Sequence, residues 1–151
     1  MSGLKLHSEP LRDEWLDAYG HLNEGYYVVA FSEANWALQE HFDIGVPYFE
    51  KTGCALYTLE SHIRYLNEVR APATLEFESY IFDVDAKKVI MAHRMLVDGT
   101  ERASFEAFAL HFDQKAGRPV AFPDDVLERL KAACSDPLPD WAGSSVGIRK
   151  K

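Results

Sequence analysis

The stretch Glu14-Trp15-Leu16-Asp17-Ala18-Tyr19-Gly20-His21-Leu22-Asn23-Glu24-Gly25-Tyr26-Tyr27-Val28-Val29-Ala30-Phe31-Ser32-Glu33 sets a carboxylate in a tight, glycine-containing loop directly ahead of a helical pattern. Tyr27, Ala30, Phe31, Ala34, Leu38 and Phe42 recur three or four residues apart, the stripe of an amphipathic helix. Asn23 is placed to cap that helix, because its side-chain oxygen can accept a hydrogen bond from a free N–H of the first turn. The spacing predicts one long helix from near Asn23 to Asp43–Gly45, with Gly45 taking the left-handed conformation that ends helices. The unpaired N–H groups at the helix start are electropositive. A carboxylate beside them, Asp17, could attack, or direct water at, a carbonyl that they polarise. The same spacing fits a plain Asx-turn, in which Asp17 only braces its own loop, and both readings stand at this point.

Upstream, Leu4–Trp15 carries Pro10 and mixed polarity, so a strand there is short or lies at a sheet edge. Downstream, Val46–Gly53 reads as a loop around Pro47, and from Ala55 the period changes from helical to alternating. Leu59, Ser61, Ile63 and Tyr65 share one face of a strand and Glu60, His62, Arg64 and Leu66 the other, with both faces mixed. Leu75–Phe82 sets Leu75, Phe77 and Ile81 against Glu76, Glu78 and Tyr80. A turn at Asp83–Lys88 leads into Val89–Val97, Asp98-Gly99 is a strong hairpin turn, and Arg102–Asp113 is the last long strand, with Phe108, Leu110 and Phe112 on one face. Pro123 opens a short helix to about Ala133. The order is one long helix followed by four long strands at hairpin spacing, an α+β domain whose antiparallel sheet curls around a single helix. One domain is expected over 1–151, with its core at about 4–133 and a loosely packed tail over 134–151. One helix cannot cover so large a sheet, which points to pairing of subunits.

Composition narrows the function classes. In 151 residues, 47% are hydrophobic and 26% charged, ordinary values for a soluble globular chain. A net charge of −8 argues against a broad nucleic-acid surface but leaves room for an anionic ligand held by a few local cations. No apolar run reaches bilayer length, so no membrane partner is expected. Cys54 and Cys134 are far apart with no leader pattern, and reduced thiols in the cytoplasm are the expectation.

Several motifs fail on context. Gly143-Ser144-Ser145-Val146-Gly147 matches the nucleophile elbow of serine hydrolases, yet only Ile148–Lys151 follow it, with no later acid or histidine. The six histidines show no His-x-x-x-His pair and no Cys-x-x-Cys partner, so no metal is expected. No glycine-rich nucleotide fingerprint is present, so no cofactor is expected.

Asp17-Ala18-Tyr19-Gly20-His21-Leu22-Asn23 resembles the Asp-x-x-Gly-His-x-Asn motif of hotdog-fold acyl-CoA thioesterases of the 4-hydroxybenzoyl-CoA type. The resemblance runs from about Leu11 to Leu130. Tyr57–Glu68, Asp83-x-Asp85-Ala86-Lys87, Leu110-His111-Phe112-Asp113 and Ala121-Phe122-Pro123 are most similar to the betainyl-CoA thioesterase branch of carnitine breakdown. The resemblance implies a hotdog fold and hydrolysis of an acyl-CoA thioester, with Asp17 as catalytic carboxylate and the backbone N–H of Glu24 or Gly25 polarising the carbonyl. It implies that His21 and Asn23 position the loop. It places the acyl pocket between the helix of one subunit and the strands of its partner, lined by Glu60, His62 and Trp36. Lys87 and Lys88 are the candidates for the coenzyme A phosphates, and the assembly is a homodimer or homotetramer. The alternative is a non-hydrolytic hotdog protein, a dehydratase or an acyl-CoA binding module.

Overall fold

The computed structural model describes residues 3–143. Its elements in chain order are β1 (Leu4–Pro10), a single 3₁₀ turn (Asp13–Trp15), α1 (Glu24–His41), α2 (Val46–Thr52), β2 (Cys54–Tyr65), β3 (Thr74–Val84), β4 (Lys88–Val97), β5 (Thr100–Asp113), β6 (Arg118–Pro119) and α3 (Asp124–Ala133). The strands form one antiparallel sheet in the order β1-β3-β4-β5-β2, with β6 added to β5. Pro10 does lie on an edge strand, where its missing N–H costs no ladder bond. Asp98 and Gly99 both take positive φ, 50° and 74°, the type I′ geometry that joins β4 to β5 without splaying them.

The predicted stripe is the buried face of α1: Tyr27, Ala30, Phe31, Ala34 and Leu38. Ala30 and Ala34 are fully buried in a cluster shared with Phe77 of β3, Met95 of β4, and Ala103, Phe105 and Ala107 of β5. Phe31 fills the contact, stacked on Phe105 at 5.0 Å and edge-on to Phe77 at 5.6 Å. Phe108, Leu110 and Phe112 do share a face, the one turned away from the helix, and are half-buried there.

Three expectations change. The left-handed residue ending α1 is Asp43 (φ 57°), not Gly45. Asp43 N–H bonds Glu40 O and Ile44 N–H bonds Gln39 O, a Schellman closure that buries Ile44 as its hydrophobic partner. Val46–Thr52 is a helix rather than a loop: Pro47 sits in the first turn, where no N–H is needed, and Gly53 (φ 76°) ends it. The tail is docked rather than loose as far as Gly143. Cys134 bridges Ile81, Ser135 N–H bonds Ile81 O, and Trp141 packs 4.9 Å from Phe82 and 5.7 Å from Tyr80. Tyr80 and Phe82 point outward from β3, and this cover is what makes them buried. Ser144 onward, and so the body of the Gly-x-Ser-x-Gly match, lies outside the described residues.

The inner core has two apolar clusters, one around Phe31, Phe77 and Met95, the other around Leu38, Ile81 and Met91. A polar seam joins them. His93 Nε2–H donates to Asn35 Oδ1 at 2.6 Å, which leaves Nδ1 to accept the Ser79 hydroxyl at 2.8 Å. The ring is thus neutral and fully buried, and burial lowers its pKa to about 3. Because the folded value lies below that of the unfolded chain, His93 contributes its full stability above pH ~6.5. It loses about 1.4 kcal/mol per unit as pH falls toward 3. Thermal melts across pH 7 to 4 are expected to fall more steeply for the wild type than for His93→Gln, which keeps a donor to Asn35. Parallel slopes would rule this out.

Candidate functional site

The Asp17 loop is a miniature hairpin. Leu16 bridges Leu22, Asp17 N–H bonds His21 O at 2.8 Å, and Gly20 N–H bonds Asp17 O at 3.1 Å. Gly20 makes the turn at φ 78°, a conformation that other residues adopt only under strain. The hairpin is anchored by Trp15 and Leu22, both nearly fully buried, and by backbone bonds from Leu22 N–H to Val69 O and from Asn23 N–H to Trp15 O. That last bond sets the loop against the start of α1.

Asp17 is half-buried, and its Oδ1 accepts from Tyr19 N–H at 2.8 Å and His21 N–H at 3.1 Å. The Asx-turn is therefore present, but both bonds fall on Oδ1 and leave Oδ2 out of them. An Asx-turn and a chemical role are compatible in this geometry, since one oxygen orients the group and the other is open to a ligand.

Asn23 caps α1 by accepting from Gly25 N–H at 3.0 Å, and Tyr26 N–H bonds Asn23 O at 3.0 Å. Of the two backbone donors expected to polarise a carbonyl, Gly25 is thus engaged by the cap, while the Glu24 N–H makes none of these bonds. Gly25 has no need of positive φ, and a Cβ there would stand 3.4 Å from Asn23 Oδ1.

His21 does more than brace through its backbone. Its Nε2 lies 3.1 Å from Glu68 Oε2, and the other oxygen of Glu68 accepts Arg70 Nε at 2.9 Å. The Arg70 guanidinium is the main cause holding the Glu68 carboxyl below its usual range. Arg102 donates to Glu68 O at 2.9 Å, and Tyr65 OH donates to Glu24 O at 3.2 Å, which ties the end of β2 to the start of α1. Neither Glu68 nor Tyr65 was singled out from sequence. They reach the loop from a segment some forty residues on, and the strand alternation that includes Tyr65 does not mark either of them as a partner of the loop.

Glu60, His62 and Trp36 are not brought together within one chain. Thr58 pairs with Ala109 on the helix side, Leu59 is the extra residue of a bulge, and Glu60 and His62 then pair with Phe108 and Glu106. Residues paired directly across a ladder share a face. Glu60 and His62 therefore stand on the side away from α1. Trp36 is 45% exposed on α1 and lines a groove of about 320 Å³ with Gln39, Ile44, Phe49, Tyr57 and Gln114. From the Asn23 cap to Trp36 is about 20 Å of helix at 1.5 Å per residue, so the groove and Asp17 lie at opposite ends of α1.

Lys87 and Lys88 are exposed in the β3–β4 turn, their N–H groups both held by Asp85 Oδ1 at 2.9 Å. This turn is also remote from Asp17 of the same chain. Lys88 pairs with Leu110, which pairs with Tyr57, so the turn is about 10 Å from the groove at ordinary strand spacing. Among the described residues no group of three or more His, Cys, Asp or Glu is arranged to hold a metal, and no helix is long and apolar enough to cross a membrane.

A long helix wrapped by one curled antiparallel sheet, with a carboxylate loop at its N-terminus, defines a hotdog-fold protein. The model of the thioesterase-like superfamily matches residues 11–130, and the chain belongs to that family. It is 37% identical over 147 residues to an L-carnitine dehydrogenase/betainyl-CoA thioesterase from Agrobacterium fabrum, covering 95% of this chain but only 30% of that relative's length. With a betainyl-CoA thioesterase from Pseudomonas aeruginosa it shares 29% identity over 151 residues, covering 96% of this chain and 95% of the other. A Staphylococcus aureus protein solved in complex with CoA superposes with a TM-score of 0.85 at 22% identity, over 99% of this chain and 98% of that one. A DHNA-CoA thioesterase from the same species gives 0.75 at 14% identity, covering 83% and 89%. At such identities the two solved structures speak to the fold alone.

Proposed function

We propose that the chain hydrolyses acyl-CoA thioesters to free acid and coenzyme A, and that betainyl-CoA is its substrate. The observation that carries the chemistry is Asp17, oriented through Oδ1 with Oδ2 open, beside the uncommitted Glu24 N–H of a capped helix. In the water route, the carboxylate takes a proton from water as its oxygen adds to the thioester carbon. The Glu24 N–H then holds the developing oxyanion, and the thiolate of coenzyme A leaves and takes up the proton. In the covalent route the carboxylate adds to the thioester carbon and expels the thiolate of coenzyme A. Water then cleaves the resulting anhydride, returning the Asp17 carboxylate and the free acid, with the released proton going to the thiolate. His21 and Asn23 hold the loop, His21 through Glu68 and Asn23 through the cap.

The active assembly is a dimer formed through β2, in the cytoplasm. Support comes from exposure on this edge and the adjoining helix face: Leu59, Tyr65, Tyr26, Val29 and Trp36 are all more than a third exposed. A two-fold axis at the middle of β2 sets the strands antiparallel, which carries the start of the partner's β2, with Tyr57, toward Tyr65 and the start of α1. The far-end groove thereby meets the Asp17 loop of the other subunit, and Lys87 and Lys88 follow on the same side to meet the coenzyme A phosphates.

Incubation with a panel of acyl-CoAs, betainyl-CoA included, tests the reading by thiol release. Free thiol with saturated acyl groups is expected. New enoyl absorbance from 3-hydroxyacyl thioesters without thiol would instead mark the dehydratase alternative.

A further inference from the structure

We infer that Trp36, Phe49 and Tyr57 form an aromatic seat for a quaternary ammonium at the end of the acyl chain, and that they, rather than Glu60, select the charge. This rests on thioester hydrolysis at Asp17 and adds to it the groups that read the acyl head.

A trimethylammonium has no N–H, so neither a carboxylate nor an amide can hydrogen-bond it. It differs from a tert-butyl group of the same shape only in its positive charge, spread over its methyl surface. Aromatic faces suit such a surface, because the ring quadrupole attracts a cation without a strongly hydrated counter-charge that must first be stripped of water. The groove has this character. Three of its lining residues are aromatic, its polar members Gln39 and Gln114 are neutral, and no charged side chain lines it.

The rings are also set in place. Tyr57 stacks on Phe112 at 4.5 Å, nearly parallel, and its hydroxyl accepts Gln114 Nε2 at 2.7 Å. Phe49 is carried by α2, whose position is set by the Schellman closure of α1 and by the Tyr48 hydroxyl 2.7 Å from His111 Nε2. Trp36 remains well exposed on α1 in a single chain. Glu60, which would be the obvious partner for a cation, shares Tyr57's face of the sheet but does not line the groove.

The test compares betainyl-CoA with 3,3-dimethylbutanoyl-CoA, its neutral isostere, in the wild type and in Trp36→Leu, Phe49→Leu, Tyr57→Leu and Glu60→Gln. The wild type is expected to favour the cationic thioester in kcat/KM by about 10-fold or more. Trp36→Leu, a change at an exposed position that leaves the core intact, is expected to erase most of that preference. Its kcat/KM on the neutral isostere should fall far less than on the cationic thioester, and Glu60→Gln should keep the preference. Equal losses on both substrates in the three aromatic variants would mean mere apolar packing and overturn the inference. A preference that vanishes in Glu60→Gln, or that the wild type never shows, also overturns it. Cleavage of neither thioester by the wild type would sink the thioesterase reading itself, and the seat with it.

Discussion

Asp17→Asn is expected to lower kcat by roughly 10²–10⁴, the usual worth of a positioned base or nucleophile, while coenzyme A binding and the melting temperature hold. The reason lies in which oxygen does what. Oδ1 accepts the Tyr19 and His21 loop N–H groups, and the side-chain oxygen of an asparagine can accept both. The loop therefore keeps its shape, and only the charge and proton affinity at the second position are lost. A variant that merely removed an Asx-turn brace would show the opposite pattern, a lowered melting temperature with hydrolysis largely retained. Asp17→Ala, which removes the brace and the chemistry together, should add a lowered melting temperature to the same loss of kcat. Wild-type thiol release by Asp17→Asn on every acyl-CoA cleaved would overturn the mechanism.

Much of the fold was legible because its signals are local. The α1 stripe, the Asn23 cap and the Asp98-Gly99 turn each follow from residues within a few positions of one another, and each appears where the spacing put it. What escaped is set by contacts between distant segments. Val46–Thr52 is helical although it is short and opens with Pro47, because Ile44 must bury itself at the end of α1 and so aims the next turn. The parity of β2 was readable beyond the bulge at Leu59, but not which side faced the helix, since Ser61, Ile63 and Tyr65 mix polar with apolar just as Glu60, His62, Arg64 and Leu66 do. Pairing with β5 decides it, since Ser61, Ile63 and Tyr65 lie opposite Ala107, Phe105 and Ala103, which are buried in the core cluster with Ala30, Phe31 and Ala34. The loop at Asp17 was legible as a motif, yet its outer support, Glu68 with Arg70, depends on a segment that folds back from beyond β2.

Within one chain the Asp17 loop and the aromatic groove sit at opposite ends of α1, so a site that uses both needs a second subunit to bring them together. If the two-fold pairing through β2 supplies the meeting, each active site takes its carboxylate from one subunit and its acyl seat from the other. Asp17→Asn and Trp36→Arg then become complementary. Trp36→Arg places a guanidinium where the substrate's own cation should sit, and like charges a few ångströms apart in a partly desolvated groove cost enough to remove about 100-fold of the activity on betainyl-CoA. Each variant alone is close to inactive. Co-expressed in equal amounts, half of the dimers are hybrids, and each hybrid holds one site with both wild-type residues and one with neither. The mixture should recover about a quarter of wild-type activity, and hybrids isolated by two different tags about half. If a single subunit supplied both groups, every site would carry one defect and mixing would restore nothing. Recovery near those fractions, with a dimer-sized particle, supports the shared site. Its absence in isolated hybrids would show that the groove of one chain does not serve the carboxylate of another.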